Sequence, residues 1–457
     1  MLLSRPPSLH PPLTPPQYAP NVDPSLSSII YRSCVNLTFS EGFTQTRSKE
    51  PSPNFTNQAA AFSTIVLKVL CNELLTSTNA VKSLAPFTVP VDPRTLLPLS
   101  SSIYRTTAAL TAITTECSAM GPDGRQQIQT HMSAVISDLL DCSTIFTSLT
   151  MGGGATSSIN SASSSILLLL LAVMDSLGRD LGVEFKTQTL SRLMSAFDRE
   201  AQTPTITPSL ISVVLTLLKM FKTIFSERSA SLTTLAGDAC KLISSRLSSL
   251  CKDPLASPEL LPSLLDTIHC ILLTHWKGFT TTTMEASADS PVSSSHPLFR
   301  GGKKRVTRII DEARYQLLTS LLDVFMFGIK ADSLPPSCVA SAVFLLRDLG
   351  SQIALFKLPE FQASLKLPFV TTLLEDLLKM NSPTLVDPMS ELLFEIASAV
   401  DINDFFQSLL PSIINGMSIG NAEKQQVLDS WNSQETTRLS FIANAANFLS
   451  EFKYHST

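Results

Sequence analysis

The chain predicts an all-α, helical-repeat fold, and three observations carry that expectation. Apolar residues make up 44% of its 457 residues against 16% charged, the balance of a chain that buries a core. Glycine is scarce, at 16 residues, and leucine is abundant, which favours helices over a turn-rich sandwich. Apolar residues also recur at three- and four-residue steps in segments broken by prolines or polar clusters, with helix pairs ~40 to 50 residues apart in the second half, a HEAT/armadillo-like spacing. A chain this long exceeds one ordinary core. The pairs are therefore expected to stack as a solenoid, or superhelix, each burying its apolar face against the next.

The stretch from Pro388 to Ile414 shows the pattern most plainly. Met389, Leu392, Leu393, Ile396 and Val400 fall on one helical face, and Pro388 suits a first turn, where a missing N–H costs little. A polar link from Asp401 to Asp404, read as a turn and an N-cap, leads into a second helix with a stripe of Phe405, Leu409 and Ile413.

In chain order, residues 1–56 read as a Pro-rich, largely disordered tail, because Pro6, Pro7, Pro11, Pro12, Pro15, Pro16 and Pro20 forbid a helix. Residues 57–279 read as the first block of repeats. Helices are expected from about 57, at about 101–120, at about 124–149 (with Ile128, Met132, Val135, Ile136, Leu139 and Leu140 on one side), and at about 163–181, 186–199, 208–226, 229–250 and 258–277. Residues 280–303, rich in Ser, Thr and Pro, read as a disordered insertion. Residues 304–457 complete the repeats, with helices at about 304–329, 336–357, 359–380, 388–400, 405–417 and 434–453.

The remaining patterns exclude more than they assign. A net charge of -4 and a pI near 5.9 give no general attraction to nucleic acid or anionic membrane. The apolar window from Ile166 to Met174 stops at Asp175, short of the roughly 20 residues a spanning helix needs, so it reads as a buried core helix. The eight cysteines contain no CxxC pair and read as small buried hydrophobes in a reducing, intracellular setting. The start of the chain has no secretory pattern, since Arg5 and the prolines cut its apolar residues.

Catalytic signatures are missing too. The glycines at 152–154 and 301–302 lack phosphate-loop spacing. His269 and His275 lie six apart, on different helical faces, which disfavours a metal pair. No nucleophile elbow or zinc-protease pattern occurs, so neither an enzyme, a metal nor a cofactor is expected. The single local charge cluster is Lys303, Lys304, Arg305 and Arg308, with Arg300 just before it. It reads either as a nuclear-localisation or acidic-partner patch, or as a solvated loop entering a helix.

Several segments, in order, are similar to one family. Gly182, Phe185 and Phe197 come first, and then Trp276, Lys277 and Phe279. The acidic, double-Phe, Leu-Pro segment follows, with Phe405, Phe406, Leu410 and Pro411, and Gln425 to Leu428 match a loop. The basic-aromatic close is Phe441, Phe448, Leu449, Phe452, Lys453 and Tyr454. From about Ser163 onward the chain resembles the C-terminal part of the exportin-6 family, within the importin-β or karyopherin superfamily.

That resemblance implies a nuclear export receptor that shuttles between nucleus and cytoplasm. Its implied partners are the GTP form of Ran GTPase, actin–profilin cargo and nuclear pore proteins, with neither nucleic acid nor membrane insertion. It also implies that Ran is gripped mainly by N-terminal repeats with no counterpart here, so the chain is expected to be a fragment or a divergent paralogue. The alternative is a helical-repeat scaffold or adaptor with no shuttling activity.

Overall fold

The structure, a computed structural model, describes residues 53–83, 93–116, 122–151, 157–198, 206, 208–251, 257–286, 303–330, 334–379, 383–416, 420–431 and 437–456. The Pro-rich segment up to residue 52 therefore lies outside the described residues. The first helix starts at Pro53, a little before the expected boundary. Apart from one two-stranded ribbon the described elements are helical, and the chain divides into two compact units, Met1–Ile224 and Phe225–Thr457.

The first unit is built from α1 (Pro53–Lys82), α2 (Pro93–Glu116), α3 (Pro122–Met151), α4 (Ser157–Asp198) and α5 (Pro208–Phe225), whose last residue opens the second unit. Four of the five start at proline, whose fixed φ suits the first helical turn. Helix α1 packs on both α2 and α3, and α4 packs on the same two, so two helical hairpins stack side by side. All six residues expected on one face of α3 are buried, from Ile128 to Leu140.

The two helices expected within 157–198 form one run interrupted at Gly182, at φ 71 and ψ 178. That conformation is open essentially to glycine alone. Within α4, Ser158–Asp175 is long and apolar enough to cross a membrane, yet 67% of it is buried inside the protein. Its Ile166, Leu167, Leu169, Leu170 and Val173 are fully covered, as a core helix requires.

The second unit consists of shorter helices. Helix α6 (Ala230–Leu242) continues through a π turn, Ile243–Leu247, into α7 (Ser248–Cys251), and α8 (Ser257–His275) follows. Strands β1 (Thr280–Ala286) and β2 (Lys303–Ile309) come next, then α9 (Glu312–Ile329) and α10 (Pro336–Gln352). The rest is α11 (Lys366–Lys379) after a π turn at Phe361–Leu365, α12 (Pro383–Ala397), α13 (Ile402–Asp404), a π turn at Phe405–Leu409, α14 (Leu410–Asn415), α15 (Asn421–Ser430) and α16 (Arg438–Ser456). Helices α8, α10, α12 and α16 pack in succession as one layer, while α6 with its π turn, α9 and α11 form the other. This is the two-layer, nearest-neighbour packing of helical repeats.

Five expectations need correction here. The insertion at 280–303 begins as strand β1, and the helix expected from 304 is strand β2, antiparallel to β1 with Thr280 opposite Ile309 and Ala286 opposite Lys303. The cause is local: Thr280 to Thr283, Val306, Thr307 and Ile309 are β-branched and favour extended backbone. Helix α12 starts at Pro383 and carries Pro388 inside it, and Val400 lies beyond its end, 66% exposed.

The stripe of Phe405, Leu409 and Ile413 is displaced, because the π turn at 405–409 inserts a residue into the helical repeat. The buried set is Phe405, Leu410 and Ile414 instead. Finally, Gln425 to Leu428, matched to a loop, lie within helix α15.

Candidate functional site

The family-like aromatics converge in the last hairpins. Phe405 is fully buried, with its ring 5.1 Å from Phe406, 5.5 Å from Trp431 and 5.5 Å from Phe441. Trp431 in turn lies 5.0 Å from Phe441 and 4.8 Å from Phe448, and Phe394 of α12 lies 5.3 Å from Phe441. Such tilted and edge-on pairs add to the large apolar area each ring buries. The cluster therefore locks α12, the 405–409 turn, α15 and α16 into one core.

Leu410 is buried, and Pro411 is half-buried where α14 continues from the π turn. Phe452 is half-buried on α16. Tyr454 lies in the last turn of the same helix, with its side chain outside the described ones. Trp276 is placed apart from this cluster, stacked at 6.3 Å on the buried Phe279. Trp431 escaped the sequence reading because it lies between helices, where no periodicity marks it.

Polar and charged side chains tie the α8–α10–α12–α16 layer together. His269 Nε2 of α8 meets Asp348 Oδ2 of α10 at 2.8 Å. Arg347 of α10 donates from Nε and Nη2 to Glu395 Oε1 of α12, at 3.1 and 2.9 Å, and also pairs with Glu391. Glu391 then accepts from Arg438 Nη2 of α16 at 2.7 Å.

Burial pushes the Glu391 carboxyl up, but Arg438 and Arg347 outweigh it and hold the group below the usual carboxylate range. In the other layer, Lys366 is buried and donates to Asp404 Oδ2 at 2.8 Å. Asp404 is held low by that bond and by the Ser408 hydroxyl. Asp401 caps α13 by accepting from Asn403 N at 2.9 Å.

Arg347 and Glu395 are 48 residues apart, one repeat spacing, which is the signal that could have found the pair in the sequence. His269 and Asp348 are 79 apart because the β1–β2 segment lies between them.

The basic residues sit on the ribbon. Lys303, Lys304 and Arg305 occupy successive positions of β2 opposite Ala286, Glu285 and Met284, and Arg308, which is exposed, lies opposite Thr281. The ribbon's base is fixed. Ile310 N donates to Phe279 O at 3.0 Å, Ile309 N to Glu360 Oε1 at 3.3 Å, and Arg314 Nε to Gly278 O at 2.7 Å.

The titratable groups are engaged in structure. His275 is 2% exposed, and its Nε2 lies 3.0 Å from the Phe225 carbonyl, which can only accept, so that nitrogen carries the hydrogen. Nδ1 faces the Thr233 hydroxyl at 3.0 Å, and burial lowers the imidazole's affinity for a second proton. Burial pushes the thiols of Cys71, Cys142 and Cys251 up to about 12 and raises Cys240 further, which keeps them protonated and poor nucleophiles. Among the described residues no group of three or more His, Cys, Asp or Glu could hold a metal.

The first unit has an open cleft of about 640 Å³ lined by Lys82, Asp141, Thr144, Ile145, Ser191, Arg192 and Ser195. Its charges are already matched: Lys82 bonds Asp138 and, at 2.9 Å, Asp141, which also takes Arg192 at 3.1 Å.

Comparison with known proteins bears on the second unit. Residues 272–457 match the family model described as Exportin-6, C-terminal TPR repeats. No curated protein and no solved structure matches the chain.

Proposed function

We propose, from the match of residues 272–457 to the C-terminal repeats of exportin-6, that the chain serves Ran-GTP-dependent export of protein cargo such as actin–profilin. The observation that carries this reading is the family match across the whole α9–α16 stack, including the Phe405 cluster that closes it. In such a receptor each hairpin touches mainly its neighbours, so a ligand that favours one packing of a repeat biases the next. Two ligands that favour the same packing bind cooperatively, and the coupling is reciprocal: Ran-GTP strengthens cargo and cargo strengthens Ran-GTP. Hydrolysis of the GTP then releases both in the cytoplasm, and contacts with nuclear pore proteins carry the complex between compartments.

The test is capture of purified actin–profilin on an immobilised receptor that carries this chain together with the N-terminal repeats of the exportin-6 family, with Ran loaded with a non-hydrolysable GTP analogue or with GDP. The expected result is capture that rises with the GTP form and falls with GDP. Capture indifferent to the nucleotide would remove Ran coupling. A cellular distribution unmoved by blocking nuclear export would point to the static scaffold instead.

A further inference from the structure

We infer that Ser398 is a phosphorylation site for an acidophilic protein kinase, and that its phosphate loosens the turn between α12 and α13. Helix α12 ends at Ala397 and α13 begins at Ile402, so Ser398 to Asp401 lie outside both. Ser398, Val400 and Asp401 are exposed, and among the described residues no partner engages the Ser398 hydroxyl. The acceptor oxygen is therefore free and faces solvent.

Charge supplies the recognition. A kinase with a basic substrate groove reads carboxylates at fixed offsets from the acceptor hydroxyl, through charge-assisted bonds. Asp401 stands three residues after Ser398, and Asp404 three further on. The same offset from hydroxyl to carboxylate recurs among the described residues at Ser195, Ser263, Thr282, Ser320, Thr372 and Thr384. Each of those lies within a helix or, for Thr282, a paired strand. A kinase groove takes extended chain, which a helix yields only by opening. From Ser398 to Asp401 the backbone is already irregular.

The transfer balances. The γ-phosphoryl group of a nucleoside triphosphate passes to Ser398 Oγ: the new P–O bond forms as the bond to the β-phosphate oxygen breaks, and nucleoside diphosphate leaves. The hydroxyl proton passes to the kinase's carboxylate base.

The consequence follows from where the charge lands. A phosphoserine carries about −1.5 to −2 charges at pH 7. At Ser398 it meets the negative end of the α12 dipole. The positive end of α13 is already taken by Asp401, whose Oδ1 accepts from Asn403 N at 2.9 Å. Glu391, Glu395 and Ser398 share one face of α12, and Arg347, the cation that reaches this face, is held by both carboxylates. The added charge repels more than it pairs. It opens the last turn of α12, where Ser398 N donates to Phe394 O at 2.8 Å. Phe394 is the residue by which α12 reaches the Phe441 ring, so the aromatic cluster loosens with it.

The inference concerns one turn and does not rest on Ran or export. The experiment treats the full chain with ATP and a purified acidophilic Ser/Thr kinase that is active on an acidic control peptide, and follows each site by mass spectrometry over time. Phosphate is expected at Ser398 at least about tenfold faster than at Ser195, Ser263, Ser320, Thr372 or Thr384, whose helices must first open. Asp401→Asn keeps a good N-cap but removes the charge, and is expected to slow Ser398 about tenfold. Asp401→Glu keeps the charge on a poorer cap, and is expected to retain most of the rate.

Hydrogen exchange across residues 394–404 is expected to be faster in the phosphorylated chain than in Ser398→Ala treated the same way. Absence of phosphate at Ser398, faster modification of the helical sites, or an unchanged rate in Asp401→Asn each overturns the assignment. So does an equal loss of rate in Asp401→Glu, which would make the cap and not the charge responsible. Equal exchange in the two chains overturns the loosening.

Discussion

The two units solve the same packing problem with different parts. In the first, helices of 30, 24, 30 and 42 residues make two stacked hairpins, and the single interruption in the longest is Gly182. In the second, α6, α8, α9, α10, α11 and α12 run to 13–19 residues, and three π turns interrupt the helical repeat. Long helices bury a continuous stripe, and in the first unit Asp141 of α3 joins Lys82 of α1 to Arg192 of α4. Short ones leave more ends and more joints, and the second unit fixes these with the Arg347–Glu391–Arg438 ladder, the Lys366–Asp404 pair and a shared aromatic cluster. The exportin-6 match falls within this second unit.

The largest test of this contrast removes the aromatic joint. Phe405→Ala deletes a fully buried ring at the centre of the cluster, and is expected to cost about 3 to 5 kcal/mol. Denaturant unfolding measures the loss, and hydrogen exchange should locate it in α12 to α16. An effect as small as that of a surface change would show that the cluster does not hold the last hairpins.

In the first unit the corresponding weak point is backbone, not side chain. A Cβ at Gly182 has open space around it, but φ of 71 disfavours any other residue. Gly182→Ala should therefore cost about 1 to 3 kcal/mol, read as a lower melting temperature with faster exchange on either side of residue 182.

The ladder is expected to rank below both. Arg347→Ala leaves Glu395 without its partner and Glu391 with Arg438 alone, which should cost about 1 to 2 kcal/mol. High salt should narrow the difference between variant and parent.

A pH effect follows from His275, whose folded form resists protonation. The unfolded chain takes up the proton first, so stability is fully present above about pH 6.5 and is lost as pH falls below it toward the lower folded value. The melting temperature of the parent should thus drop further between neutral and mildly acidic pH than that of His275→Gln. Equal drops would show that the imidazole is free to charge. Smallest of all, Phe344→Ser on the exposed side of α10, at 68% exposure, should change stability by less than about 0.5 kcal/mol.

The sequence by itself determined the helical class, most element centres and the burial of Cys71, Cys142, Cys240, Cys251 and Cys338. These depend on periodicity and side-chain chemistry within one turn of each residue. The face of α3 from Ile128 to Leu140 and the core character of Ile166 to Met174 follow directly from apolar spacing.

Tertiary structure decided what depends on distant partners. It set the extra residue at 405–409 that moves burial from Leu409 and Ile413 to Leu410 and Ile414, because Phe405 must meet Trp431 and Phe441. It set the closeness of Gly350 to Phe356, whose ring would overlap an added Cβ. It also turned the basic run into a strand. Lysine and arginine are poor strand formers alone, and only the antiparallel threonine-rich partner across an insertion gives their backbone groups somewhere to bond.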